Sequence, residues 1–456
     1  MSKSKLTLAV AGVVSALSMG VSTQNVEAAN WLMLQGTEKP GAVGRAKVWG
    51  FVQAEATYLD ATKVPAAAWK GNTMQPNTVG PDRSSRATMN IRRARIGVRG
   101  QGFPLDNKVN YFMLAEFGHN GVTSVGGGGG ATYLTDASVT LNHIPYARVR
   151  IGQFKTPGAE EGLQAIHVFD YTGFTAVTDQ LLMERFTDGD GSTSGFDGSS
   201  SIASTHVNKP NGGVGAFRDV GVQLFDTIKM KKLEYSYAFM IGNGNGINRS
   251  DNNAKKDFYG YLSTEMVFGG KGGRREGAKL FAWTHKGKRT LTKESAGEYD
   301  RNRTGVGFTF KKAKISAAAE YIMADGLIRN GTDGGAKVGS VGTHPVSSET
   351  AVSSINYFLD GEANGYYAHF GYKVLPKLEL DVRYDVLNRG THSDSAERTF
   401  SNITLGTQIF LNKKTRLTFN YAIRSQEAPN LPSTDNANKI GDAVDNLLSA
   451  QVLAIF

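Results

Sequence analysis

Apolar and polar side chains alternate with a period of two along most of this chain, most clearly in the stretch Tyr366–Asn388. The apolar positions of its first arm are Tyr366, Ala368, Phe370, Tyr372 and Val374, and those of its second arm are Leu378, Leu380, Val382, Tyr384 and Val386. Such alternation predicts β-strands with one apolar and one polar face. Each arm has roughly the 9–11 residues that a tilted strand needs to cross a bilayer. The stretch therefore predicts a membrane-spanning hairpin.

The same unit recurs along the sequence. It predicts strands at 47–58, 87–100, 107–118, 132–142, 147–155, 217–225, 231–241, 257–268, 277–286, 303–311, 313–323, 366–374, 377–388, 400–411, 414–424 and 446–456. About sixteen strands, joined alternately by short turns and long polar loops, are typical of outer-membrane barrels. A barrel of this size encloses a water-filled channel. The fold class predicted is an all-β, antiparallel transmembrane β-barrel.

One long segment, from Thr156 to about Gly213, interrupts the alternation. An aperiodic stretch inside a regular repeat is usually functional or disordered. Its first part contains apolar residues such as Leu163, Ile166 and Phe169 and could fold into the lumen, whereas the Gly- and Ser-rich tract 188–205 is predicted to be an exposed loop.

The N-terminus has the features of a secretory signal. Lys3 and Lys5 precede an apolar region at 6–19, and Val26-Glu27-Ala28 offers a cleavage site. Beyond it no apolar run reaches the roughly 18 residues of a spanning helix. An exported chain that spans a membrane must then be a closed barrel, since lipid cannot satisfy an open sheet edge.

These features divide the chain into three parts: a signal peptide at 1–28, a periplasmic lead-in at 29–45 and a transmembrane barrel at 46–456. The sequence has no cysteine, which agrees with an exported chain that needs no disulfide. The formal net charge of +10 could serve nucleic acid, anionic lipid or anionic solutes. Export and the lack of a nucleic-acid motif argue against nucleic acid.

The densest basic cluster is NIRRARIGVRG at 90–100. When the apolar faces are directed toward lipid, alternation directs Arg93, Arg95 and Arg99 into the lumen. It puts Ala94 on the lipid face and leaves Arg92 to snorkel near an interface.

Arg148 and Arg150 on a nearby strand could extend this cluster into a basic stripe suited to phosphate or carboxylate. The alternative is that the arginines pair with Glu116, Asp136 or loop carboxylates and only shape the wall. The hairpin described first has an acid-rich lumen face, with Glu379, Asp381, Arg383 and Asp385. Opposed basic and acidic walls predict a transverse field across a wet pore.

Catalytic and metal-binding patterns are weak. The eight histidines are scattered, and neither an HExxH nor a GxSxG motif occurs. Asp251-Asn252-Asn253 lacks the spacing of a calcium loop and predicts an Asx turn. We therefore expect no enzyme, no metal site and no cofactor.

Several stretches, in order along the chain, resemble the phosphate-selective porin O and P family of Gram-negative outer-membrane porins. They are IRRARIGVRG (91–100), RVRIGQFKTP (148–157), LLMERF (181–186), RDVGVQL (218–224), IGNGNGINRSDNN (241–253), KDFYGYL (256–262), AEYI (319–322), YYAHFGYKVLPKLELDVRYDVL (366–387) and the final strand ending in Phe456.

The resemblance implies a sixteen-stranded barrel in the outer membrane, a homotrimer, and a constriction loop that folds inward after the GQFK strand, from Thr156 to about Arg185. It also implies that the barrel-assembly machinery reads the C-terminal Phe456. Lys155 and Arg185 lie at the edges of this loop. The loop itself carries carboxylates rather than a lysine cluster, which argues against strict phosphate selectivity: Glu160, Glu161, Asp170, Asp179 and Glu184.

The sequence thus predicts a passive diffusion channel for small hydrophilic solutes with a weak preference for anions such as phosphate. The anion-facing residues proposed are Arg93, Arg95, Arg99, Arg148, Arg150, Lys155 and Arg185. Two alternatives stay open: a channel strictly specific for phosphate or other oxyanions, and a non-conducting barrel that acts as a scaffold or as the sheath of an electron conduit. The chain has no CxxCH, so any haem would belong to a partner.

Overall fold

The fold was analysed in a computed structural model. The structure describes residues 30–33, 35, 37, 46–66, 70–71, 73–74, 87–102, 106–120, 122–123, 132–183, 185–187, 210–214, 217–248, 251, 253–269, 275–291, 297–329, 341–343, 350–352 and 357–456. The predicted signal peptide, the tract 188–205 and Asn252 lie outside these residues.

Sixteen antiparallel strands form one closed barrel, in which each strand pairs with its sequence neighbours and the last pairs with the first. They are β1 Lys47–Tyr58, β2 Ala87–Gln101, β3 Val109–Glu116, β4 Tyr133–Leu141, β5 Arg148–Lys155, β6 Arg218–Met230, β7 Leu233–Gly242, β8 Asp257–Gly269, β9 Glu276–Leu291, β10 Gly297–Lys312, β11 Ile315–Asp325, β12 Glu362–Leu375, β13 Leu378–Arg389, β14 Arg398–Phe410, β15 Thr415–Glu427 and β16 Leu447–Ile455. The predicted all-β antiparallel barrel is confirmed.

Helical structure in the described residues is limited to short pieces. A 3₁₀ turn spans Trp31–Met33, α1 spans Glu160–Leu163, a π-helical turn spans Thr178–Leu182 and α2 spans Asn436–Gly441. Three two-stranded ladders complete the secondary structure: Arg185–Thr187 with Pro210–Val214, Ile328–Arg329 with Tyr357–Phe358, and Val341–Thr343 with Thr350–Val352. Among the described residues, we find no helix with the length and apolar character of a membrane span.

Alternation assigns the two faces of the barrel as the sequence predicts. Leu262, Leu280 and Val306 are exposed on the outer face, where lipid would cover them. Polar residues at the alternate positions of other strands, such as Glu320 and Gln408, point inward and are buried. The inward set is buried because other parts of the chain fill the lumen.

A β-bulge in β2 breaks the alternation. Gln53 pairs with Arg93, and the next residue of β1, Ala54, pairs with Ile91, so Arg92 is an extra residue. A bulge places two successive residues on one face, and Arg92 and Arg93 are both buried in the interior. The prediction that Arg92 snorkels near an interface is therefore wrong.

The turn after β6 also differs from the prediction. The pattern predicted a tight turn at 226–230, but β6 continues to Met230 and the turn falls at Lys231, whose φ is +56°. Asp226 remains inside the strand, where it accepts a bond from Arg148. Asp226 and Thr227 are thus buried residues of the strand and do not belong to a turn.

Candidate pore constriction

Residues 156–183, here called the inward segment, cross the lumen after β5. The start of the segment is fixed by Lys155, whose ammonium donates to the carbonyl oxygens of Gly162 at 2.8 Å and Gln164 at 2.6 Å. These acceptors lie in or just after α1, where helix-end carbonyls lack intrahelical partners. Lys155 therefore serves as an internal brace of the segment.

The strands from β8 to β15 hold the rest of the inward segment, and we call their lumen face the anchor wall. Arg416 donates to the carbonyl of Phe169 at 2.6 Å, and Arg303 donates to that of Leu181 at 2.9 Å. Asp385 accepts from a backbone N–H of the segment at 2.9 Å. Charged side chains of the anchor wall thus hold the backbone of the inward segment in place.

The carboxylates of the inward segment face the same wall. Glu160 pairs with Lys279 at 2.5 Å, and Glu161 pairs with Arg383 at 3.1 Å. Asp170 lies 3.9 Å from both His369 and Arg416. Three of the five acidic residues that counted against an anion path, Glu160, Glu161 and Asp170, therefore lie beside basic side chains of the anchor wall.

The N-terminal segment also enters the barrel. Trp31 Nε1 donates to Oε1 of Glu160 at 2.9 Å, and Asn30 donates to Ser236 at 2.7 Å. Leu32 is only 3% exposed and packs in the same apolar cluster as Leu163 of the inward segment. The described part of the predicted periplasmic lead-in thus packs against the inward segment from the rim where the tight β6–β7 turn lies.

The lumen face of β1–β5, here called the basic wall, carries the predicted arginines. Arg93 donates to Gln53 at 2.9 Å, and Arg95 pairs with Glu116 at 2.7 Å. Arg99 lies over an aromatic ring, 5.9 Å from its centroid. Arg95 and Arg99 line one space in the lumen and Arg93 lines another, and Arg95 is paired with a carboxylate, as the alternative interpretation held.

The remaining predicted residues are spread out. Arg148 pairs with Asp226, while Arg150 lies 4.3 Å from the ring centroid of Phe225 and donates to the Gln35 carbonyl. The backbone of Arg185 forms a short ladder after the inward segment, and its side chain lies outside the described residues. Arg150 and Lys155 line the same part of the lumen as Arg95 and Arg99, whereas Arg148 is held by Asp226.

Sequence reasoning missed Arg218. This residue pairs with Asp136 at 3.0 Å inside the barrel, yet alternation directs Asp219 inward and Arg218 outward. Arg218 is the first residue of β6 and follows Phe217, whose φ is +60°. The regular two-residue period has not yet begun at this position. Only the backbone conformation therefore shows that the side chain of Arg218 points into the barrel.

His167 is the titratable group of the inward segment that faces the basic wall. Its ring lies 6.1 Å from Trp49 and 5.3 Å from Phe51, measured between centroids. Burial lowers the pKa of His167 to about 4, because desolvation penalises the charged imidazolium. His167 is therefore neutral at pH 7, and its ring belongs to an aromatic cluster.

A closed sixteen-stranded barrel with a polar lumen and an inward segment is the architecture of outer-membrane porins. Residues 75–254 match the model of the family described as phosphate-selective porin O and P. This match agrees with the resemblance seen in the sequence.

Solved structures agree on the fold. An anion-selective porin from Comamonas acidovorans is 12% identical with a TM-score of 0.51, and the match covers 90% of this chain and 99% of that one. OmpF of Salmonella typhi, in complex with daunomycin, is 10% identical with a TM-score of 0.51, covering 90% and 97%. None of the curated proteins compared matches the sequence.

Proposed function

We propose that this porin lets small hydrophilic solutes diffuse passively across the outer membrane, with a weak preference for anions such as phosphate, and that it catalyses no reaction. The observation that carries this proposal is the partition of charge in the lumen. Glu160 and Glu161 bind cations of the anchor wall, while Arg95, Arg99 and Arg150 lie on the basic wall. Charge of one sign along a pore wall sets ion preference.

The preference is weak because some of the lumen arginines are neutralised. Arg95 pairs with Glu116 and Arg218 pairs with Asp136, so neither guanidinium acts as a full positive charge. Screening at physiological salt, with a Debye length of about 8 Å, further limits the attraction in a wet pore. Strict phosphate specificity would require a denser set of cations.

The test is the reversal potential of the purified protein in a planar bilayer under a potassium chloride gradient. We expect a potential of the sign for chloride preference, and a shift toward potassium when Arg93, Arg95 and Arg99 are replaced together by Gln. The matched control replaces Lys108, Lys231 and Lys413, three exposed turn residues, and removes the same charge.

An unchanged potential in the triple lumen variant would show that the basic wall does not govern selectivity. Block of the chloride current by micromolar phosphate would favour the strictly phosphate-specific channel. Absence of any conductance would favour the scaffold or electron-conduit interpretation.

We also propose that the chain assembles as a homotrimer and that the barrel-assembly machinery recognises Phe456. The backbone of Phe456 exchanges hydrogen bonds of 2.9 and 3.2 Å with Gly50 at the seam between β1 and β16, and its side chain is exposed. The mass of the detergent-solubilised protein tests the trimer. Phe456→Ala should lower the amount of folded protein in the outer membrane, whereas Leu448→Ala, also exposed on β16, should not.

A further inference from the structure

A cavity of about 500 Å³ lies between the basic wall, the inward segment and the N-terminal turn at Trp31 and Leu32. Its volume falls in the range of roughly 300–1,000 Å³ that is typical of small-molecule sites. Elsewhere the lumen holds smaller spaces, such as the one of about 140 Å³ beside the anchor wall. The cavity is therefore the place where a solute larger than a simple ion fits.

The charged side chains that line the cavity are all basic. Four arginines line it, Arg95, Arg99, Arg150 and Arg218, together with the lysines Lys47, Lys155 and Lys414. No Asp or Glu is among the described residues that line it. Glu116 and Asp136 pair with two of the arginines without lining the cavity, so the lining keeps a large excess of positive charge. This lining therefore favours an anionic solute.

The cavity also has aromatic walls. The rings of Trp49 and Phe51 are stacked with centroids 6.4 Å apart, and Phe112 lies 5.9 Å from Trp49. Arg95 lies 5.8 Å from the centroid of the Phe51 ring, and a guanidinium on an aromatic face forms a mixed cationic and apolar surface. Inorganic anions gain nothing from such rings.

The Trp49 indole is held flat against its neighbouring strand. A Cβ atom added at Gly97 would lie 2.8 Å from Nε1 and 2.9 Å from Cε2 of Trp49, so the glycine makes room for the ring. Trp49 Nε1 is buried and has no hydrogen-bond partner among the described residues. Because its N–H is buried on the side of Gly97, Trp49 lines the cavity with its ring.

We propose that this cavity is a binding subsite for aromatic anions, planar rings that carry one or more carboxylates. The ring of the solute stacks in the cluster of Trp49, Phe51 and His167, and its carboxylates pair with the arginines, whose forked donors fit them. This inference deepens the proposed function and rests on it, since the solute reaches the cavity through an anion-preferring lumen.

The experiment compares two dianions of similar size that differ in the ring, terephthalate and trans-cyclohexane-1,4-dicarboxylate. Each is titrated against the chloride current of the full-length porin in a planar bilayer. We expect half-block by terephthalate at a concentration about tenfold lower, which corresponds to about 1.4 kcal/mol. Trp49→Leu should reduce this ratio to less than about twofold, whereas Trp49→Phe, which keeps a ring, should preserve most of it.

The outcomes distinguish failure of the aromatic subsite from failure of the proposed function. Equal block by both dianions in a chloride-preferring channel overturns the aromatic subsite and leaves the proposed function standing. A potassium-preferring reversal potential overturns the proposed function itself. If Trp49→Leu does not fold, the Trp49→Phe variant and the wild-type ratio still decide, because a ratio near one is incompatible with the subsite.

Discussion

Arg383 of β13 donates a hydrogen bond to Oε1 of Glu161 across 3.1 Å and also lies 4.3 Å from the centroid of the Tyr171 ring. Both charged side chains are almost completely buried, at 6% and 3% exposure. One arginine thus binds two points of the inward segment, by charge and by its planar face. The acid-rich wall of the barrel holds the constriction in place.

Replacing Arg383 by Gln should loosen the inward segment, because Glu161 and the nearby Asp385 then lose a shared cation. We expect noisier single-channel current and a lower free energy of unfolding, by about 1–3 kcal/mol. The double variant Arg383→Gln, Glu161→Gln should recover part of the loss, as expected for coupled residues. Lys377→Gln, at an exposed turn of the same hairpin, serves as the control. Additive effects would contradict the coupling.

Replacing Arg92 by Leu tests whether the Arg92 side chain faces the lumen or the lipid. Arg92 lies 3.6 Å from Glu55 inside the barrel, so Leu leaves that carboxylate without its cation, and the barrel should lose about 1–3 kcal/mol of stability. An arginine facing lipid would give the opposite sign, because removing it relieves about 2–4 kcal/mol at the midplane. Urea unfolding in lipid vesicles measures the difference. Ile91→Leu, on the outer face, should be nearly neutral.

Replacing Trp31 by Ala should widen the path through the barrel. Trp31 holds the N-terminal segment to Glu160, and without the indole we expect Leu32 and its neighbours to leave the lumen more often. Single-channel conductance should rise. Trp31→Phe keeps the ring but not the N–H donor, and should fall between wild type and Trp31→Ala. An unchanged conductance in Trp31→Ala would mean that the segment does not narrow the pore.

The pH dependence of selectivity should report His167. With its pKa lowered to about 4 by burial, His167 is neutral from about pH 8 to pH 5 and gains a positive charge only near pH 4 and below. Wild type and His167→Gln should therefore show the same reversal potential at about pH 7 and pH 5.5. At about pH 3.5 the wild type should prefer chloride more strongly. A difference that develops near pH 6.5 would contradict a desolvated imidazole.

The barrel follows from local features of the sequence. Strand length, the period of two and the turn residues are local properties, so all sixteen strands were found, and β1 was found with its observed bounds, Lys47–Tyr58. The same period determines on which face of a strand each side chain lies, and for this reason Arg93, Arg95 and Arg99 were assigned to the lumen correctly. Arg92 was not, because a bulge depends on register with the partner strand.

The pairing of charges depends on closure of the barrel. Glu160 and Lys279 are 119 residues apart in sequence, and Glu161 and Arg383 are 222 apart, so no local pattern relates them. In the sequence, the carboxylates of the inward segment argue against an anion path, yet closure of the barrel brings Glu160, Glu161 and Asp170 to cations on the anchor wall. The basic wall and the cavity beside Trp49 remain positive for that reason, because electrostatic balance is set by distance in space.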